Sequence, residues 1–295
     1  MLNLADIKAT ASAVGFDICG VTKCKNFALD KAFLESWIES GLASDLDYLK
    51  RNTDKRADAT LLVEGAKSVI VCGVNYKNLY SLGYAAKATN KIASYALTTD
   101  YHTTIKGMLK QMCNELKRLC PTLSGRCFTD SAPVFEKRYA VEAGLGWIGH
   151  QSLLITPQYG SFVLLGVAII SEQCDSYDAP YTGVGCGNCR RCIDACPNSA
   201  IIERHIDTRR CISKATIERD NDALPLHGWI FGCDECQSCC PYNHTSPLCC
   251  NDLFRPTFDP TAIEWDKIGK AEFEIHFAKT PLARATLARL KRNME

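Results

Sequence analysis

Four cysteines, Cys186, Cys189, Cys192 and Cys196, followed at once by Pro197, constrain this chain more than any other feature. The spacing C-x2-C-x2-C-x3-C-P lets a tight loop wrap three thiolates around one face of an iron–sulfur cube. The fourth cysteine reaches a second cube, and the proline turns the chain away. Structural zinc sites come instead as separated C-x2-C pairs, so the run reads as a [4Fe–4S] ligand set. A second group follows at Cys233, Cys236, Cys239 and Cys240, with Pro241 behind it. Its register is open on spacing alone, because either Cys239 or Cys211 can complete a set in which Cys240 precedes the proline. The pairing expected for two clusters joins Cys186, Cys189 and Cys192 to Cys240, and Cys196 to Cys233, Cys236 and one of those two. Two such centres make a one-electron wire.

The chain carries 18 cysteines in 295 residues, a count that also suits a disulfide scaffold. Such scaffolds are short, secreted and led by an export signal. Here the opening MLNLADIKATASAVG places Asp6 where the apolar part of a signal would lie. The longest apolar stretch, Phe162 to Ile170, is about half a bilayer span. A soluble cytoplasmic protein with no membrane partner is therefore expected, its cysteines serving as thiols or metal ligands. With 34 Lys+Arg against 33 Asp+Glu, the net charge of +1 gives no global attraction for nucleic acid. Any such binding must come from local patches.

Leu4, Ile7, Ala11 and Val14 recur at helical spacing before Gly15, which predicts an opening amphipathic helix. Phe16–Thr22, Ser68–Val74 and Phe162–Ile170 read as buried strands; Leu29–Ser40 and Thr103–Cys120 read as helices. Strands and helices intermix without the regular alternation of a doubly wound sheet, so residues 1–172 are expected to form an α+β domain. From Cys174 to Cys250 core-forming residues thin out, and residues 173–250 are expected to take their stability from metal clusters. Residues 251–295 read as a short helical extension ending in one basic helix, Pro281–Asn293, with Thr280 as its cap.

GRCFTDSAPVFEKRYAVEAGLGWIGHQS is the other informative stretch. Asp130 or Ser131 precedes a helical pattern and could cap it, with Glu136 placed for a capping interaction. Alternatively Asp130 is an acid facing a pocket, able to protonate a leaving oxygen. Gly144, Gly146 and Gly149 match G-x-G-x-x-G, but they follow a helix instead of a strand, which argues against a dinucleotide site.

LDYLKR (Leu46–Arg51), SYALTTDYH (Ser94–His102), FTDSAPVFEK (Phe128–Lys137), AGLGWIG (Ala143–Gly149), DTRRCIS (Asp207–Ser213), FGCDECQSCCPYN (Phe231–Asn243) and both cysteine groups together resemble the epoxyqueuosine reductase family. The resemblance implies a nitroreductase-like α+β cobalamin-binding domain joined to a two-cluster ferredoxin-like module. It implies reduction of epoxyqueuosine to queuosine at the tRNA wobble position, with Asp130 protonating the departing oxygen. It places Cys211 in the second cluster and Cys240 in the first, leaving Cys239 spare. Arg51, Gln151, Ser152, Leu154 and Ser213 are implied to contact cobalamin, and Tyr101 with His102 to line its pocket. Arg209, Arg210 and Lys214 are candidates for tRNA phosphates. Further implications are tRNA carrying epoxyqueuosine as partner, an external low-potential electron donor, and a monomer. Thr98, Thr99 and His150 depart from the family pattern. Two other readings compete: a reductive dehalogenase-like cobalamin enzyme, and a ferredoxin-like electron carrier.

Overall fold

The β-rich run SVIVCGVN folds as the strand Ser68–Asn75, and all its residues are buried. In the computed structural model, which describes residues 1–85, 88–218 and 224–295, this strand is the spine of a four-stranded antiparallel sheet. Ile18–Lys23 pairs with it on one side and Val163–Ile170 on the other, and Gly125–Phe128 adds an edge beyond the latter. Val71 stands opposite Gly20 and Val167. An antiparallel sheet usually alternates apolar and polar residues. Here both faces are covered, which is why the strands read as continuous apolar runs.

Ile70, Cys72, Val74, Ala168 and Ile170 face the opening helix Leu4–Ala13 and the long helix Tyr101–Leu119, through Ile7, Ala11, Ile105, Leu109 and Met112. Val69, Val71, Val167 and Ile169 face the other way, onto Phe27, Tyr139, Ala140 and Leu154. Gly166 permits the long helix its close approach: a Cβ there would stand 2.9 Å from Leu109 Cδ1. The helix Glu136–Glu142 runs out at Ala143, and Gly144 turns the chain at φ +75°. That left-handed turn is open to glycine without strain.

Most predicted elements form within a residue or two of their expected ends. The long helix begins earlier than its periodicity indicates, because Asp100 accepts the His102 N–H as its cap and brings Tyr101 into the first turn. The final basic helix is a correction. Pro281–Arg284 is a 3-10 turn, Ala285 is extended, and a separate helix Leu287–Arg292 starts at Thr286, whose hydroxyl accepts from the Arg289 N–H. Burial of Leu282 and Leu290 against Trp265, Phe273 and Phe277 dictates the break. Thr280 hydrogen-bonds the Phe277 carbonyl instead of capping. The basic side chains are engaged locally: Arg284 pairs with Glu218 at 2.7 Å, and Arg289 and Lys291 donate to the Ile217 and Asp266 carbonyls.

The cysteine-rich segment is bound to the end of the sheet by buried polar groups. Lys77 donates to the carbonyls of Asn243 and Ser246, and Asn243 bonds Ser161 and the Gln237 carbonyl. Asp234 accepts from both the N–H and the hydroxyl of Ser94. Each of these groups is satisfied, which makes such a network a rigid joint instead of a cost.

Candidate active site

The helix Arg191–Asp194 contacts the helix Glu235–Ser238, and this contact brings the two cysteine groups together. Burial, and after it the neighbouring thiols Cys186, Cys240 and Cys189, push Cys192 up to about 11. Burial first, then Cys233 and Cys211, raise Cys236; Cys211, raised mainly by burial, also feels Cys196. The nearest thiol neighbours therefore group Cys186, Cys189 and Cys192 with Cys240, and Cys196, Cys211 and Cys233 with Cys236, with Cys192 also felt at Cys236 where the two groups meet. Cys239 also lies beside the first group, feeling Cys192, Cys240 and Cys189. The Trp147 indole N–H donates to Cys186 Sγ at 3.4 Å, and the Ala200 N–H to Cys196 Sγ at 3.2 Å. Donors aimed at cysteine sulfur suit iron–sulfur ligands, because they stabilise charge on the thiolate. Among the described residues no three His, Cys, Asp or Glu side chains are grouped to hold a single metal ion.

Two cavities flank the turn that carries Asp130. The inner one, about 410 Å³, is lined by Tyr76, Tyr95, Tyr101, Leu153, Val163 and Leu164 from the first part of the chain. Cys196, Cys211, Cys233 and Cys236 close it from the cysteine-rich segment. The outer one, about 600 Å³, is lined by Tyr48, Arg51, Asn52, Arg56, Glu136, Glu218 and Arg284. Among the described residues Asp130 alone lines both. Its backbone sits at φ +47°, a left-handed conformation that costs about 1–3 kcal/mol for a residue with a Cβ.

Three contacts fix this turn. The Tyr101 hydroxyl donates to Asp130 Oδ2 at 2.7 Å, and His102 Nε2 lies 3.9 Å from the same oxygen. The Asp130 N–H donates to Glu136 Oε1 at 2.9 Å. Burial and then the Asp130 charge push the Tyr101 phenol far up, so it stays a donor across the working pH range. Asp130 is thus not the helix cap: the residue before Glu136–Glu142 is Phe135, which makes no side-chain cap bond. The carboxyl of Glu136 reaches back to the turn instead.

The other expected site residues separate by position. Gln151 and Ser213 line the inner cavity, and the Gln151 Nε2 is buried with no hydrogen-bond partner among the described residues. A large cofactor with amide-bearing edges would meet that orphaned donor, so the apolar cavity and its free amide fit a corrin. Arg51 lines the outer cavity. Leu154 is buried in the sheet core, and its neighbour Leu153 faces the cavity in its stead. Ser152, at φ +61°, bonds the Arg204 carbonyl. Arg210 reaches the inner cavity, Arg209 pairs with Asp207 at 2.8 Å, and Lys214 pairs with Asp45 at 2.6 Å. Of the departures from the family pattern, Thr98 is buried and bonds the Tyr95 carbonyl, while His150 Nδ1 lacks a partner among the described residues. Tyr76, Tyr95 and Gln237 also line the inner cavity; Tyr95 and Gln237 lie within SYALTTDYH and FGCDECQSCCPYN but were not singled out there, and Tyr76 lies outside every such stretch. Arg56 and Glu136 were equally silent as site residues.

The chain is 39% identical to an epoxyqueuosine reductase of Cellulophaga algicola, over 98% of this chain and 96% of that one. It belongs to the epoxyqueuosine reductase family. The family model described as epoxyqueuosine reductase QueG, DUF1730, matches residues 56–131, which run from Arg56 through the Asp130 turn. A 4Fe-4S double cluster binding domain matches residues 185–243, which span all eight expected ligand cysteines, Cys211 among them. The structure of epoxyqueuosine reductase from Streptococcus thermophilus superposes with a TM-score of 0.85 at 26% identity, covering 98% of this chain and 79% of that one. An epoxyqueuosine reductase crystallised with an epoxyqueuosine-modified tRNA stem loop shares the fold, with a TM-score of 0.87 at 24% identity and the same coverage. The family thus accounts for the α+β architecture and the two-cluster segment together.

Proposed function

We infer that this chain reduces epoxyqueuosine to queuosine at the wobble position of tRNA, as an oxidoreductase using cobalamin and two [4Fe–4S] clusters. Its likeness to epoxyqueuosine reductases along nearly the whole chain carries this reading. When bound, the clusters supply single electrons and cobalamin supplies a low-valent cobalt no side chain can match. The chain's own residues position the reactants and move protons. Cys186, Cys189, Cys192 and Cys240 hold one cluster, and Cys196, Cys211, Cys233 and Cys236 hold the other. The second set lines the inner cavity, where Gln151, Tyr101 and Ser213 would hold a bound corrin. Arg51, which lines the outer cavity, would contact the cobalamin from that side. Asp130, between the two, gives a proton to the epoxide oxygen as it leaves.

The first cysteine set is the entry side for electrons from an external low-potential donor. Val184, beside Cys186, is 81% exposed, and Arg190 and Arg191 next to Cys189 are exposed as well, a surface suited to an acidic carrier. The working form is a cytoplasmic monomer; no helix among the described residues is long and apolar enough to cross a membrane. Residues 1–172 form the cofactor-binding unit, 173–250 the cluster unit, and 251–295 a helical unit packed on strand Trp229–Phe231.

The direct test incubates anoxically reconstituted protein with tRNA carrying epoxyqueuosine and a strong reductant, then identifies nucleosides by mass spectrometry. Queuosine is the expected product; its absence, with iron and corrin both bound, overturns the reading. Asp130→Asn is expected to keep both clusters and corrin while losing at least about a hundredfold in turnover. Full turnover in that variant removes Asp130 from the chemistry.

A further inference from the structure

Reducing an epoxide to an alkene consumes two electrons and two protons and releases water. The electrons come through the clusters and cobalt, but Asp130 as a carboxylic acid holds only one proton. Beside it stands a second carboxyl that nothing in the reaction yet uses. Glu136 Oε1 accepts the Asp130 N–H at 2.9 Å, and both side chains open on the outer cavity. The Asp130 side chain is 66% exposed there, so a proton can reach it from that side.

The surroundings of Glu136 leave it without a cation to hold it ionised. Among the described residues no Lys, Arg or His nitrogen is paired with its carboxyl, whereas Glu142, further along the same helix, pairs with both Lys25 and Arg138. Lys137, the next residue on its helix, donates instead to the Ser152 carbonyl at 2.5 Å. Arg56, on the helix Thr53–Ala57, lines the same cavity, and its Nε makes no hydrogen bond among the described residues. Tyr101 and His102, on the long helix, address Asp130. Tyr48, Arg51, Glu218 and Arg284 complete the charged and titratable rim. Loss of water contact and then the Asp130 charge push the Glu136 carboxyl up to about 8, against weaker opposing pulls from the Asp130 N–H, Lys137 and Arg56.

We propose that Asp130 and Glu136 work as one carboxyl pair, in which Glu136 fixes the Asp130 turn and holds the second proton of the reduction. This rests on the epoxide-reducing reading above. Asp130 gives its proton to the oxygen as the first C–O bond breaks, leaving a hydroxyl on the ring and a carboxylate on the protein. Glu136 then passes its proton to Asp130 through the outer cavity. Asp130 delivers it as the second C–O bond breaks and water departs. Glu136 refills from solvent and hands a proton back to Asp130 for the next cycle; like charges side by side cannot both stay ionised at little cost, which favours at least one proton on the pair. Glu136 acts through Asp130, and is a positioning and proton-holding residue.

Two experiments separate this proposal from the reading it rests on. The first needs no turnover: carbon-13 NMR of glutamate-labelled, reconstituted protein should show one glutamate titrating near 8. In Asp130→Asn the same resonance should titrate at lower pH, because one of its two raising influences is gone. A resonance that Asp130→Asn leaves in place overturns the pair whatever the enzyme reduces. The second compares wild type with Glu136→Gln, which keeps an amide oxygen for the Asp130 N–H but carries no exchangeable acid. Turnover should fall tenfold to a hundredfold with KM little changed; the wild-type rate should decline above pH 8, where Glu136 ionises, and the variant should show no such decline. Glu136→Gln with wild-type turnover and pH profile also overturns the proposal, as does recovery of neither rate nor profile in Glu136→Asp if the glutamate resonance fails to respond to Asp130→Asn.

Discussion

Asp130 occupies a backbone conformation that its side chain alone would not choose, and the neighbouring groups explain why it stays there. A hydroxyl and an imidazole converge on its Oδ2, and a second carboxyl accepts its backbone N–H. The strain of about 1–3 kcal/mol is offset by these bonds, which keep the carboxyl at the wall between two cavities. Glu136 carries a cost of its own. Its carboxyl sits near 4.5 in the unfolded chain and near 8 in the fold. Below 4.5 both states are protonated and the residue is neutral to stability. As pH rises toward 8 the unfolded chain releases a proton that the fold retains, so folding is progressively penalised, and the penalty is complete above 8. Glu136→Gln should therefore stabilise the protein by about 1–2 kcal/mol at pH 8.5, allowing for screening of a half-buried group, and by little at pH 4.5. Anoxic thermal unfolding at the two pH values checks this. An equal gain at both would mean that the substitution acts through packing and not through charge.

At the scale of elements, periodicity located the strands and helices of the sheet because both faces of that sheet are buried by local amphipathic helices. Ile7 and Ala11 could be assigned to the core from spacing alone, and the structure buries both fully. The cysteine sets were legible for a different reason, since a cube held by short loops leaves a spacing that nothing else requires. The cavity walls were not legible. Tyr76 follows the central strand, Tyr95 lies in a 3-10 turn, and Gln237 belongs to the second cysteine group; only the tertiary contacts bring them together. The split of the last helix was hidden as well, because burial of Leu282 overrides the pattern of its basic neighbours. The element that matters most to the site is the long helix, whose first turn supplies Tyr101 and His102. Its distance from the sheet depends on Gly166. Gly166→Ala should push the helix outward at Leu109 and Ile105, costing about 1–3 kcal/mol. Turnover should fall with it, since the Tyr101–Asp130 bond is set by the same helix. Unfolding and activity measured on one preparation test the link. A stability loss with intact turnover would show that the helix tolerates the shift without disturbing the site.

Across the whole molecule, the cluster unit and the sheet unit share one cavity, and the polar network of Lys77, Asn243 and Gln237 holds the two against each other. This arrangement gives the cysteine sets a polarity. The set containing Cys196, Cys211, Cys233 and Cys236 faces the cavity, while Cys186 and Cys189 lie in a loop at the surface. Trp147 marks the difference chemically. Its indole is stacked on Tyr181 at 5.2 Å and meets Tyr242 edge-on at 4.8 Å, and its N–H points at Cys186 Sγ. A donor to a ligand sulfur stabilises the more negative, reduced cluster, so removing it should make reduction harder. Trp147→Phe keeps the ring in its stack and deletes only the donor. In a redox titration followed by electron paramagnetic resonance, one of the two clusters should shift to a more negative potential and the other should hold its value. Turnover limited by electron entry should slow, while corrin binding stays unchanged, because Trp147 is no part of the inner cavity wall. If both potentials move together, Cys186 does not belong to the first cysteine set alone, and the direction of electron flow inferred from the two cysteine groups fails with it.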